Sequence, residues 1–281
     1  MQMKNKKAVW IIVLIVALLI VAAGAVFLYM SHKDSPDIPY SAAPTQSGQD
    51  QTDQSKTEDP SENPTQPPTE PKPYGYELSA QEENTSLSFD ELMEINHDIY
   101  AWIYIPNTAV DYPVVQSILD GDDTFYLDHN IYRDYQFSGS IYSETQNSTR
   151  FDDPVTVLYG HNMLNGTMFA SLHNFEDEDF FNENNTIFIF TQDKVLTYFI
   201  YAAYTFDDRH ILNSYNMADK DVFREYLDST LEPRSYNCHI REGVELSTDD
   251  RILTLSTCSN GGGNTRYLVQ GVKVDERRRE G

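Results

Sequence analysis

Positive charge and cysteine are what this chain of 281 residues has least of. Lysine and arginine number 20 against 44 aspartates and glutamates, a formal charge of -24. So acidic a chain repels a phosphate backbone and has no broad attraction for anionic lipid, so nucleic acid is not expected as a partner. The two cysteines, Cys238 and Cys258, are too few for a disulfide framework and too far apart for a paired metal-ligand motif. A single bridge between them is conceivable only in an oxidising compartment. Two further absences are local: no charged residue falls between positions 8 and 30, and large apolar residues vanish between positions 41 and 73.

The uncharged run AVWIIVLIVALLIVAAGAVFLYM, residues 8–30, is long enough as a helix to cross a bilayer. Lys4, Lys6 and Lys7 precede it and the chain turns acidic after Lys33, so the positive-inside rule leaves residues 1–7 in the cytoplasm and everything downstream outside. A cleaved signal peptide is the alternative, suggested by the small residues of VAAGA, although the apolar core is longer than such peptides carry. Residues 31–76, rich in Pro, Ser, Thr, Gln and acidic side chains, cannot bury enough surface to offset their ordering entropy. They read as a disordered extracytoplasmic stalk, with a coil span on the order of 35 Å and a fully stretched reach of about 130 Å. Residues 77–281 remain, roughly 200 residues, which suits one domain.

That domain opens with SFDELMEINHDI, where Ser88 and Glu91 have capping-box spacing and apolar residues recur at helical intervals, so one helix precedes a sheet. Short β-rich runs follow, separated by turn residues: AWIYIP, YPVVQ, FYLDH, GSIYSE, VTVLYG, TIFIFT, KVLTYFIYAAYTF, RILTLST and TRYLVQGVKV. Eight or so strands at this spacing imply a closed or nearly closed barrel, a mainly β fold with added helices. Two helical stretches interrupt them, MFASLHNF with DEDFF, and DKDVFREYLDSTL, whose Val222, Phe223, Tyr226, Leu227 and Leu231 share a face.

Cys258 ends a buried-looking strand, RILTLSTC, and opens the loop SNGGGN, where a rigid element can present a reactive side chain. Taken alone, one more buried cysteine is the plainer reading. A free thiol is only about 3% thiolate at pH 7, so a catalytic cysteine needs a proton acceptor or a positive neighbour. All seven histidines precede Cys258, which excludes the papain-like order. His161 stands out because it ends the apolar run PVTVLYGHN, so both residues lie at strand ends. His97 is assigned to the first helix, His129 and His173 to polar surroundings, and His210 and His239 to loops, each an ordinary surface or core histidine when taken alone. A zinc site from His161 and His173 matches no common ligand spacing, and no metal or other cofactor is expected. Arg266, eight residues past Cys258, would be folded back beside it by a hairpin through SNGGGNT. There it could donate to an oxyanion, since guanidinium stays protonated; its plain reading is a surface charge on a strand.

YGHNM, TLSTC and TRYLV in this order and at these intervals resemble the active-site motifs of sortases. The entry segment ELMEINHDIYAWIYIPNTAVDYPVVQ and the helix DKDVFREYLDSTL between two late strands resemble their class B, over about residues 87–274. The resemblance implies an eight-stranded barrel behind a membrane anchor and transpeptidation at the surface of a Gram-positive bacterium. It implies Cys258 as nucleophile on a threonine carbonyl of a C-terminal sorting signal, His161 as acid and base, and Arg266 as stabiliser of the oxyanion. Leu127, Ile211 and Ser256 match substrate-groove positions, while His210 and Asp123 stand where relatives often carry tyrosine and asparagine. The implied partners are sorting-signal-bearing surface proteins and the amine of a cell-wall peptide precursor or a pilin lysine. A cysteine hydrolase using the same residues, and a membrane-tethered binding module with a structural Cys258, stay open as alternatives.

Overall fold

The computed structural model describes residues 88–118, 121–260 and 264–279. The expected membrane span at 8–30 and the stalk at 31–76 lie outside the described residues, and among those described no helix is long and apolar enough to cross a membrane.

The opening helix α1 spans Phe89–Ile95, and the Ser88 hydroxyl accepts from the Glu91 amide at 3.3 Å, the serine half of the expected cap. It is shorter than the sequence pattern implies. Asn96 leaves helical geometry to accept at Oδ1 from the Asp98 amide and to donate to Tyr126 Oη and the Ile131 carbonyl. His97 therefore lies in the turn and Ile99 begins a strand.

Nine strands follow: β1 Ile99–Tyr104, β2 Asp111–Gln116, β3 Ile141–Ser143, β4 Val155–Tyr159, β5 Thr186–Phe190, β6 Lys194–Asp207, β7 Cys238–Ile240, β8 Ile252–Cys258 and β9 Thr265–Arg278. Their order is β5-β1-β2-β3-β4-β8-β9-β6-β7, and an added β5–β6 pairing closes an eight-stranded barrel. β6 makes this closure possible because it is 14 residues long. One edge pairs with β9 along its whole length, and the other takes β5 at residues 195–199 and β7 at residues 202–204.

The expected strand at FYLDH is instead a 3-10 turn, Phe125–Leu127. Pairing explains why: β2 and β3 bond directly in parallel, so the chain between them must cross over and has no slot in the sheet. Tyr126 pins the crossover, fully buried with its hydroxyl donating to Asp98 Oδ2 at 2.6 Å. β7 went unread in the sequence because three residues including a histidine give no alternation to detect.

Two short helical segments, a 3-10 turn at Ala170–Glu176 and α2 at Glu178–Glu183, join β4 to β5 where MFASLHNF and DEDFF imply helix. Between β6 and β7 lie α3, Ile211–Ser214, and α4, Lys220–Leu231. α4 buries Phe223, Tyr226, Leu227 and Thr230 on the outer barrel wall, against Val155, Val157, Ile252, Leu268 and Val272 among others. The barrel interior is filled separately, by side chains such as Ile103, Leu158, Ile189, Leu253, Leu255 and Val269.

Candidate active site

Period-two alternation decides which side chains can meet at the end of β8. Leu253 and Leu255 point into the barrel, so Ile252, Thr254, Ser256 and Cys258 share the outer face on which α4 lies. On β9 the same face carries Arg266, Leu268 and Gln270, and on β4 it carries Val155, Val157 and Tyr159. β8 lies between these strands, parallel to β4 with Tyr159 opposite Ser256, and antiparallel to β9 with Cys258 opposite Arg266. α4 covers the lower part of this face. The upper part stays open as a cavity of about 270 Å³.

All six sequence-selected residues line that cavity: Leu127, His161, Ile211, Ser256, Cys258 and Arg266. Cys258 is exposed and Arg266 Nη1 donates to its Sγ at 3.1 Å. The hairpin that joins β8 to β9 thus puts a fixed positive charge beside the thiol. His161 stands one residue beyond Gly160, donates through Nε2 to the Leu127 carbonyl at 2.8 Å, and stacks on Phe137 with ring centres 5.4 Å apart. Gly160 is required by close approach: a Cβ there would lie 2.5 Å from Ile141 Cδ1 and 2.7 Å from Phe169 Cδ2. A larger cleft of about 730 Å³ adjoins the site, sharing Phe206 and Arg209 with it, but none of the six residues lines it.

The cavity wall also holds Tyr142, Glu144, Tyr159 and His210, none of them among those six. Glu144 is buried, and its Oε2 accepts from His210 Nε2 at 2.5 Å. His210 Nδ1 accepts the Asn213 amide at the start of α3, so the histidine read as a loop residue is a helix cap. Burial pushes the hydroxyls of Tyr142 and Tyr159 well above the usual tyrosine range; Glu144 adds to the rise and Arg266 opposes it, so both stay neutral. Behind Cys258, His173 lies against Tyr267 with ring centres 4.8 Å apart, its Nδ1 2.6 Å from Glu176 Oε1 and its Nε2 2.9 Å from the Cys258 carbonyl oxygen. Asn162 Nδ2 donates to the same carbonyl at 3.1 Å. His173 and Glu176 were legible only as an i, i+3 pair in HNFE, which does not say what the pair faces.

The Cys238–Cys258 bridge is excluded. β9 and β6 separate the two strands, about 14 Å of sheet, whereas a disulfide holds its Cα atoms within about 7 Å. Both thiols are free, and Cys238 donates to the Ser235 carbonyl. Among the described residues no cluster of metal-binding side chains occurs.

The chain matches the family model for the sortase domain over residues 103–274. It is 34% identical to the sortase B of Listeria monocytogenes over 190 residues, covering 66% of this chain and 73% of that one. Among solved structures, sortase B of Clostridium perfringens is similar with a TM-score of 0.58 and 36% identity, covering 67% of this chain and 100% of that one. A class B sortase of Streptococcus pyogenes involved in pilus biogenesis is similar with a TM-score of 0.55 and 29% identity, over 66% of this chain and 99% of that one. With the barrel, the insertion of α4 and a family match over more than half its length, the chain belongs to the sortases, in their class B, and is a cysteine transpeptidase.

Proposed function

We propose that this transpeptidase is held to the membrane by residues 8–30, with its catalytic domain outside the cell, and cleaves a C-terminal sorting signal after a threonine. It then transfers the freed carbonyl to an amine of the cell wall. One observation carries the assignment of roles: Arg266 donates to the Sγ of Cys258 at 3.1 Å, in a cavity that His161 also lines.

Cys258 gives its thiol proton to His161, the thiolate attacks the threonine carbonyl carbon, and the oxygen that becomes negative is met by the Arg266 guanidinium, whose other N–H groups can donate to it. His161 donates through Nε2 to Leu127, which leaves Nδ1 as the atom that exchanges protons. It gives a proton to the departing amine as the C–N bond breaks and the thioester forms. The incoming amine loses a proton to the same nitrogen, attacks the thioester, and expels the Cys258 thiolate. Splitting amide exchange this way replaces one hard step with two easier ones. Leu127, Ile211 and Ser256 line the groove that takes the signal.

A peptide library incubated with the full chain and hydroxylamine, read by mass spectrometry, tests the proposal. The expected products are a thioester on Cys258 and a threonine hydroxamate, both absent for Cys258→Ala at unchanged melting temperature. Undiminished transfer by that variant would sink the mechanism, and release of free acid alone would support a hydrolase. The likeness to a class B sortase involved in pilus biogenesis supports a second acceptor, a pilin lysine, which the same assay tests with a lysine side-chain amine.

A further inference from the structure

Cys258 is the last residue of β8, so the strand ladder holds it from one side only and the chain beyond it is loop. Its carbonyl oxygen, on the group attached to the same Cα as the thiol side chain, nevertheless has two side-chain nitrogens within hydrogen-bond distance. His173 Nε2 lies 2.9 Å away and Asn162 Nδ2 lies 3.1 Å away. They come from different parts of the fold: Asn162 follows His161 at the end of β4, and His173 sits on the 3-10 turn between β4 and β5. Asn162 Nδ2 also donates to Asn260 Oδ1 at 2.9 Å, two residues past the cysteine.

His173 is itself held on every side. Its side chain is 7% exposed, its ring stacks on Tyr267, and its Nδ1 faces the Glu176 carboxylate at 2.6 Å. Nδ1 faces the Glu176 carboxylate, while Nε2 lies 2.9 Å from the Cys258 carbonyl oxygen and 3.1 Å from Asn162 Nδ2, so the ring and the amide close one contact network around that carbonyl. This is the geometry by which a carboxylate orients a histidine toward a third group, here a main-chain oxygen instead of a nucleophile or a metal.

We propose that His173, oriented by Glu176 and assisted by Asn162, is a positioning residue for the nucleophile. It fixes the peptide group of Cys258 so that Sγ stays within reach of Arg266. The inference rests on Cys258 being the nucleophile. A displacement of about 1 Å in a reacting atom can lower a rate on the order of 100-fold, so a single missing anchor at the end of a strand is enough to matter.

Two substitutions separate positioning from packing. His173→Gln keeps an amide group near the place of Nε2, whereas His173→Asn keeps one only near the place of Nδ1, and both lose the ring stacked on Tyr267. In the full chain, two rates are read: alkylation of Cys258 by iodoacetamide, located by peptide mapping with Cys238 as internal control, and transfer of a library-selected peptide to hydroxylamine. His173→Asn is expected to slow both about tenfold, with the transfer loss in kcat and not KM, while His173→Gln stays within about threefold of the parent. Equal losses in the two variants at matched melting temperatures, or no loss in His173→Asn, would overturn the positioning role. Alkylation reads the thiol without substrate, and failure of the nucleophile assignment appears separately, as Cys258→Ala retaining transfer.

Discussion

Arg266 makes its contact with Cys258 through register. Being directly opposite the cysteine on an antiparallel neighbour brings the two side chains together on one face without a dedicated loop. The guanidinium is half-buried, and its planar fork lets one N–H hold the sulfur while others meet an oxyanion. Arg266→Ala is expected to lower kcat by about 100- to 1000-fold, the usual effect of removing one oxyanion donor, with a melting temperature close to the parent's. Arg266→Lys should recover only part of this, since the donors of an ammonium diverge from one nitrogen on a flexible stem and do not form the planar fork of a guanidinium. Steady-state kinetics with the library-selected peptide check both. A kcat within threefold of the parent for Arg266→Ala would remove arginine from the mechanism.

The face that presents the site is held by a buried polar network between α4 and the strands beneath it. Gln270 on β9 donates to Tyr226 Oη at 2.7 Å and to Thr254 Oγ1 at 2.9 Å, and accepts from Tyr204 Oη at 3.0 Å. Thr230 on α4 accepts from Tyr201 Oη at 3.0 Å. Every group named is buried, so a missing partner leaves polar atoms without water to replace it. Gln270→Leu, similar in volume, is expected to destabilise the domain by about 3 kcal/mol, measured by urea unfolding. A change below about 0.5 kcal/mol would mean that the network relaxes around an apolar residue. The same substitution should reduce transfer, because Gln270 shares its strand face with Leu268 and Arg266.

At the scale of the whole molecule, closure and charge work against each other. The β5–β6 pairing closes the sheet and so removes open edges that it would otherwise carry, and β7 covers a further stretch of β6 at residues 202–204. The formal charge of -24 favours the expanded chain through self-repulsion. Raising sodium chloride from about 0.01 M to about 0.15 M shortens the screening length from about 30 Å to about 8 Å, so the melting temperature should rise by a few degrees. A fall over this range, followed by calorimetry, would show that local ion pairs such as Lys194–Glu276 outweigh the general repulsion.

The residues proposed to carry the chemistry were legible because each sits where a period-two run breaks: His161 after VTVLYG, Cys258 after RILTLST, Arg266 at the start of TRYLV. Eight of the nine expected strands were legible for the same reason, since alternation is a local property of the chain. FYLDH was misread because its fate depends on β2 and β3 pairing directly, a contact between segments some 25 residues apart that no local pattern encodes. The partners of the site are of the same kind. That His173 Nε2 lies against the Cys258 carbonyl, and that Glu144 meets His210 in the wall of the groove, depends on contacts across 85 and 66 residues of sequence. The chain by itself determined which side chains end strands and, through the short connection from β8 to β9, that Arg266 returns beside Cys258; only the pairing of distant strands decided which other groups face them.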